Sequence, residues 1–254
     1  LKAEILGSLP IGPGAIQTDL LSEVACINCS KLPPSLKAQI GLIHTERMKK
    51  YDSEGLGFSS TWGPENSIDF LEKKFTTTIV AIDTSNNEWK VQGYMILLEN
   101  PPPEVLSDKV WEALSNLDES LKVDLSRSTT NIDQKDPLRE NFGSILADGF
   151  YWLQAVAVSK DFAADYFQRT NSSLYKKMIS GLNAYCAYHQ NQSILVGHCP
   201  VGLDGNTAAT KHAEVGCYYD GTIIHRDTDL SVMDTFKPKE ERGLAIFWTV
   251  IGNN

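Results

Sequence analysis

FYWLQAVAVSKDFAADYFQRTNSSLYKKMISGLNAYCAYH, residues 150 to 189, passes from one structural period to another. Its first nine residues, FYWLQAVAV, are aromatic, apolar and β-branched, the composition of a buried strand. From Gln168 onward, QRTNSSLYKKMISGLNAYCAYH repeats apolar residues every three or four positions, which places Leu174, Met178, Leu182 and Tyr185 on one stripe of a long helix. At about 1.5 Å per residue the helix is predicted to run on the order of 30 Å. A strand that feeds a long helix is the half-unit of an α/β fold.

The flanking sequence extends this unit in both directions. Upstream, TDLLSEVACI reads as a strand or a short helix, and SLKAQIGLIHTERMKKY as a helix with Leu36, Ile40, Ile43 and Met48 near helical spacing. GLGFSSTWGPE is loop, and NSIDFLEKKF is a short helix opened by Asn66 or Ser67. TTTIVAID and VQGYMILLE then form a hairpin through TSNNEWK, whose Ser-Asn-Asn is turn chemistry. PPPE opens a helix, EVLSDKVWEALSNL, and residues 101–149 read as an insertion between strands. Downstream come the strand SILVGHC, a short helix in GNTAATKHAEVGC capped by Asn206 or Thr207 and stopped at Gly216, and two closing strands, YYDGTIIHRD and LAIFWTVI. The fold class predicted is α/β, with a mixed central sheet in one domain spanning 1–254.

Composition narrows the function. The chain has 254 residues, 42% hydrophobic and 22% charged, with no apolar run near the roughly 20 residues a membrane-spanning helix needs. A net charge of −9 argues against nucleic acid, which requires clustered Lys and Arg against phosphates, and favours a small substrate or a basic partner. The opening LKAEILGSLPIGPG lacks a signal-peptide layout and reads as a trimmed terminus. Five cysteines, an odd number, fit thiols in a reducing, cytoplasmic compartment better than a disulfide framework. Cys26-x-x-Cys29 has no second pair and no His at ligand spacing, so no metal site is expected.

The order of elements, with three of the stretches above, resembles the GNAT superfamily of acyl-CoA-dependent N-acyltransferases. WKVQGYMILLE resembles the family's hairpin, WLQAVAV with QRTNSS its cofactor strand and loop, and GNTAATKHAEVGC its last helix. The resemblance covers about residues 36–99 and 150–251 and implies a splayed sheet with helices on both faces. It also implies acetyl-CoA or another acyl-CoA as co-substrate and a primary amine, small molecule or peptide, as acceptor. On this sequence Val156, Ala157 and Val158 would pair by their backbones with the pantetheine arm, and Gln168, Arg169, Asn171, Ser172 and Ser173 would meet the pyrophosphate. The loop departs from the family pattern, because Asn171 and Ser173 stand in the glycine slots and DFAADYF sets it further from the strand. A helix N-terminus still offers N–H groups and roughly half a positive charge to a phosphate.

Acyl transfer to an amine requires a neutral amine, stabilisation of a developing oxyanion and a proton for the departing thiolate. The family often places a Glu on the cofactor strand, where this chain has Gln154, which makes no useful base. Aligned on Gly216, His212 takes the slot of the family's acidic Tyr and Gly205 that of its Asn; aligned on Asn206, a further cofactor-binding candidate, the helix shifts by one residue. With an ordinary pKa near 6.5, roughly a quarter of a histidine population is protonated at neutral pH, so His212 suits either acid or base duty. A GNAT-like domain without turnover, serving as an acyl-CoA or protein-binding module, is the alternative. His198 with Cys199 raises a thiol nucleophile as a third class. Trp62, Tyr94 and Trp152 are either core or acceptor-pocket aromatics, His225, Arg226 and Asp227 form a hairpin charge cluster, and the insertion either shapes the pocket or makes a homodimer contact.

Overall fold

The structure is a computed structural model that describes residues 16–19, 24–29, 34–53, 71, 73–85, 89–102, 105, 149–188, 193–201, 211–212, 214–215, 218–224 and 243–252. The chain divides into two compact units: Leu1–Leu98 with Leu153–Asn191 and Gly252–Asn254, and Glu99–Trp152 with Gln192–Ile251.

The first unit contains β1 (Ile16–Asp19), β2 (Val24–Cys29), α1 (Pro34–Ser53), β3 (Thr76–Asp83) and β4 (Lys90–Glu99). Most of β5 (Phe150–Val158) follows, then α2 (Lys160–Thr170) and α3 (Leu174–Tyr188). The strands lie in the order β1-β2-β3-β4-β5. TDLLSEVACI resolves into the end of β1 and the start of β2, an antiparallel pair with Asp19 opposite Val24. The expected hairpin is present. Thr76 faces Leu98 across β3 and β4, and the Ser85 N–H donates to Asp83 Oδ1 at 3.0 Å as the chain turns. Ala81 pairs with Gly93 and Ile82 with Val91, so Gln92 is an extra residue, a β-bulge. The Gln92 carbonyl accepts the Ser159 N–H at 2.8 Å, which ties β4 to the end of β5.

Successive residues of a strand face opposite sides, and Gly93 and Tyr94 show what covers each. Tyr94 is buried, with its hydroxyl 2.6 Å from Nδ1 of the buried His44 of α1. A Cβ built at Gly93 would instead lie 3.4 Å from Leu174 Cδ2 of α3. Helices therefore cover both faces of this sheet. Of the stripe expected from sequence, Leu174, Met178 and Leu182 are buried and Tyr185 is half-buried.

One expectation is overturned. QRTNSSLYKKMISGLNAYCAYH is not a single helix: Gln168, Arg169 and Thr170 close α2, Asn171 is left-handed at φ 54°, and α3 begins at Leu174. DFAADYF, read as an intervening stretch, is the body of α2. The helix holds by local chemistry, with Asp161 in its first turn, Arg169 in its last, and an Asp165–Arg169 pair one turn apart at 3.0 Å.

The second unit holds β6 (Ser193–Val201), β7 (Tyr218–Ile224), β8 (Gly243–Ile251) and the first residues of β5. β8 lies between β6 and β7, antiparallel to both, with Val196 opposite Trp248 and Tyr219 opposite Phe247. The starts of β5 and β6 are side by side, since Ser193 Oγ donates to the Gly149 carbonyl at 3.1 Å, so these strands set out in the same direction. Parallel and antiparallel neighbours together make the sheet mixed, and the fold is α/β as expected.

Asn100 joins the end of β4 to the start of β5. Its N–H donates to the Phe150 carbonyl at 3.0 Å, and its Oδ1 accepts the Phe150 N–H at 2.8 Å. Its φ of 44° lies in the region that asparagine tolerates better than most residues. Asn100→Ala should lower unfolding stability by about 1–3 kcal/mol, from the lost bond and the strained backbone. Urea denaturation checks this, with Asn100→Gly expected to lose less because glycine removes the strain. The helix expected over 104–117, apart from Val105, most of NSIDFLEKKF, and Trp62, His225, Arg226 and Asp227 lie outside the described residues.

Candidate active site

In the first unit the site candidates follow the chain from β5 round the α2–α3 corner. Phe150 to Leu153 are buried, whereas Gln154, Ala155 and Val156 are half-buried and Val158 likewise, with Ala157 buried between them. Cover is thus thinner over the stretch expected to meet the pantetheine arm. Val158 and the Ala157 carbonyl close on Gly93, where a Cβ would stand 3.1 Å from Val158 Cγ1 and 3.3 Å from the Ala157 oxygen.

The corner differs from an open phosphate loop. The Asn171 N–H donates to the Phe167 carbonyl at 2.8 Å, closing α2 with a left-handed residue. The Ser172 N–H donates to Thr170 Oγ1 at 3.3 Å, and that hydroxyl donates to the Tyr166 carbonyl at 2.8 Å. Ser173 caps α3, its Oγ accepting the Lys176 N–H at 3.1 Å. Two of the amides that an anion-binding loop would present are therefore committed within the corner. Asparagine and serine in the glycine slots have produced a helix stop and a helix start.

A cleft of about 430 Å³ opens beside this corner. Arg169, Lys176 and Lys177 bring cationic side chains to it, Thr170, Ser172 and Ser180 bring hydroxyls, and Tyr166 forms part of the wall. Ser180 Oγ donates to the Lys176 carbonyl at 2.9 Å, so its proton, like that of Thr170, is engaged by the backbone. Arg169 lies 3.0 Å from Asp165 and over the Phe162 ring at 5.8 Å, with a side chain 40% exposed. The cleft is cationic in a chain of net charge −9, which suits it to an anion. Gln168, next to Arg169, is exposed on the last turn of α2. The sequence reading passes over Lys176 and Lys177; the available signal is an adjacent pair of lysines at the opening of a helix in an acidic chain.

His212 belongs to the second unit. It is buried, and its ring stacks on Phe247 of β8, centroids 3.8 Å apart and planes inclined by 19°. Its neighbour Lys211 reaches Glu214 at 2.8 Å on the surface. A ring held by its face keeps its two nitrogens at the edge, which is the geometry a proton carrier uses, and it also makes a sound packing contact. Asn206 lies outside the described residues. His198 and Cys199 lie in β6, opposite Ile246 and Ala245 of β8. Trp152 and Tyr94, candidates for an acceptor pocket, are core residues, 2% and 1% exposed. Among the described residues, no three His, Cys, Asp or Glu side chains cluster as metal ligands, and no helix is long and apolar enough to cross a membrane.

No protein-family pattern matches the chain, and no curated protein matches it. Among solved structures, an acetyltransferase of the GNAT family from Listeria monocytogenes is similar at 14% identity and a TM-score of 0.46, over 89% of this chain and 95% of that one. A yellow fever mosquito protein described as an arylalkylamine N-acetyltransferase is 11% identical at a TM-score of 0.46, over 89% and 87% of the two chains. An apo form of an agmatine N-acetyltransferase variant is 8% identical at a TM-score of 0.43, over 89% and 99%.

Proposed function

We propose that the chain is a GNAT-type acyltransferase that moves an acetyl or other short acyl group from acyl-CoA to a primary amine. The observation that carries this reading is the cationic cleft at the α2–α3 corner, to which Arg169, Lys176 and Lys177 all bring charge. The residues fit such a co-substrate: backbone groups of Val156, Ala157 and Val158 for an extended polar arm, and Arg169, Lys176 and Lys177 for its phosphates. Bound acyl-CoA supplies a thioester carbonyl for direct attack by the neutral amine.

The chain's own part is to bind, orient and handle protons. Backbone N–H groups of β5 stabilise the oxyanion, and Gln154, a neutral amide, orients but takes up no proton. His212 carries the proton through one of its ring nitrogens. The net charge of −9 favours a cationic amine by steering its approach. On this reading residues 1–254 form one functional domain, with 101–149 as an insertion.

Isothermal titration with acetyl-CoA tests the reading. Saturable binding below about 1 mM is expected, within the usual range of enzyme substrates, followed by thiol release when a panel of primary amines is added. No binding at millimolar acetyl-CoA would overturn it.

A second reading is an acyl-CoA-binding module without turnover. The committed amides at Asn171 and Ser172 and the stacked ring of His212 favour it. Binding without thiol release against every amine would select this reading.

A further inference from the structure

We infer that the α2–α3 cleft recognises a terminal phosphate, a phosphomonoester, by side-chain charge instead of by backbone amides. On the acyl-CoA reading, on which this inference rests, that group is the 3′-phosphate of the nucleotide end. The first observation is which donors the corner has left. The amides of Asn171 and Ser172 are bonded to Phe167 O and Thr170 Oγ1, and the protons of Thr170 and Ser180 go to backbone carbonyls. A bridging pyrophosphate held in the ordinary way needs close approach to free backbone N–H groups, which small, left-handed-tolerant glycines permit. This corner holds two of those groups within its own turns.

The second observation is what faces the cleft instead. Arg169 enters from the last turn of α2, and Lys176 and Lys177 from the opening turns of α3, so two helices contribute cations to a space of about 430 Å³. Long cationic side chains match a phosphomonoester, which carries roughly −1.5 to −2 charges and three terminal oxygens. Arg169 also lies 3.0 Å from Asp165. An arriving phosphate competes with Asp165 for that guanidinium, and Lys176 and Lys177 add charge from the other helix.

The test compares CoA with dephospho-CoA, which has the same pyrophosphate and pantetheine but no 3′-phosphate. Titration of the full chain should give about tenfold or more weaker binding of dephospho-CoA, the worth of a lost charge-assisted contact. In the Lys176→Ala/Lys177→Ala double variant the preference for CoA over dephospho-CoA should fall to about threefold or less, the remainder resting on Arg169. Both lysines lie away from the core, exposed and half-buried, and an unchanged thermal midpoint verifies the fold. Arg169→Gln gives an independent variant on the other helix and should reduce the discrimination in part.

Equal affinity for the two ligands in the unaltered chain would overturn the inference and leave the acyl-CoA reading standing. So would a discrimination that the double variant leaves undiminished. Failure of both ligands to bind at millimolar concentration would overturn the acyl-CoA reading and the inference with it.

Discussion

Replacing His212 with phenylalanine is expected to leave the second unit folded and to lower acyl transfer by about a hundredfold or more, the usual worth of a positioned proton carrier. The benzyl side chain keeps an aromatic face against Phe247, where the imidazole now stacks at 3.8 Å, while removing both ring nitrogens. Chemistry and packing are thereby separated. His212→Ala confounds them, because deleting a buried ring also opens a cavity. Turnover against the most reactive amine, followed by thiol release, is the measurement, with acetyl-CoA affinity as a control that should change little. A folded phenylalanine variant with undiminished turnover would remove His212 from the mechanism and leave it a packing residue. His212→Tyr is the informative companion, since a phenol there is expected to return part of the activity.

Gly93→Val is expected to destabilise the first unit by about 1–3 kcal/mol and to weaken acetyl-CoA binding beyond what that loss explains. The new Cβ would stand 3.1 Å from Val158 Cγ1, 3.3 Å from the Ala157 carbonyl oxygen and 3.4 Å from Leu174 Cδ2. Two of these are side-chain atoms that can give way. The third is backbone of β5, so relief requires the strand to shift where it is proposed to pair with the cofactor. Gly41→Ala in α1 is the matched control: nothing lies within 4 Å of its Cβ, and removing a helical glycine should stabilise by up to about 1 kcal/mol. Thermal unfolding and titration on the same samples would decide whether the two effects of Gly93→Val separate.

The parts of the fold that were legible are those where one local period dominates. TTTIVAID and VQGYMILLE are runs of β-branched and apolar residues, and both strands are largely buried. Leu174, Met178 and Leu182 recur at helical spacing, and all three are buried. α2 escaped because it is a mostly polar, thinly buried helix. Tyr166 is its buried residue, Phe162 and Ala163 are half-buried and Phe167 is 49% exposed, so an amphipathic segment of low mean hydropathy reads as a connection. Its evidence lies in weaker local signals, the Asp165–Arg169 spacing and an asparagine suited to a left-handed stop.

The candidate site was legible only in part for a related reason. A motif comparison assigns Asn171 and Ser173 to glycine slots, but it does not say where their amides will go; that depends on Phe167 and Thr170 reaching back along the same corner. The convergence of Arg169 with Lys176 and Lys177 requires two helices to turn against each other, and the turn is what the single-helix reading removed. The His44–Tyr94 pair is 50 residues apart in sequence and becomes visible only when α1 lies on β4.

The asparagine clasp between β4 and β5 bears on how much chain can be carried between them. Because Asn100 and Phe150 hold each other by two hydrogen bonds, the sheet meets at that point regardless of the length of polypeptide that leaves and returns. Loop-closure entropy grows only with the logarithm of length, so a connection of a few residues and one of about fifty differ by about 2 kcal/mol. A clasp of this kind makes the β4–β5 connection a place where lineages of this chain can lengthen or trim the sequence, free to acquire new surface there without re-solving the fold.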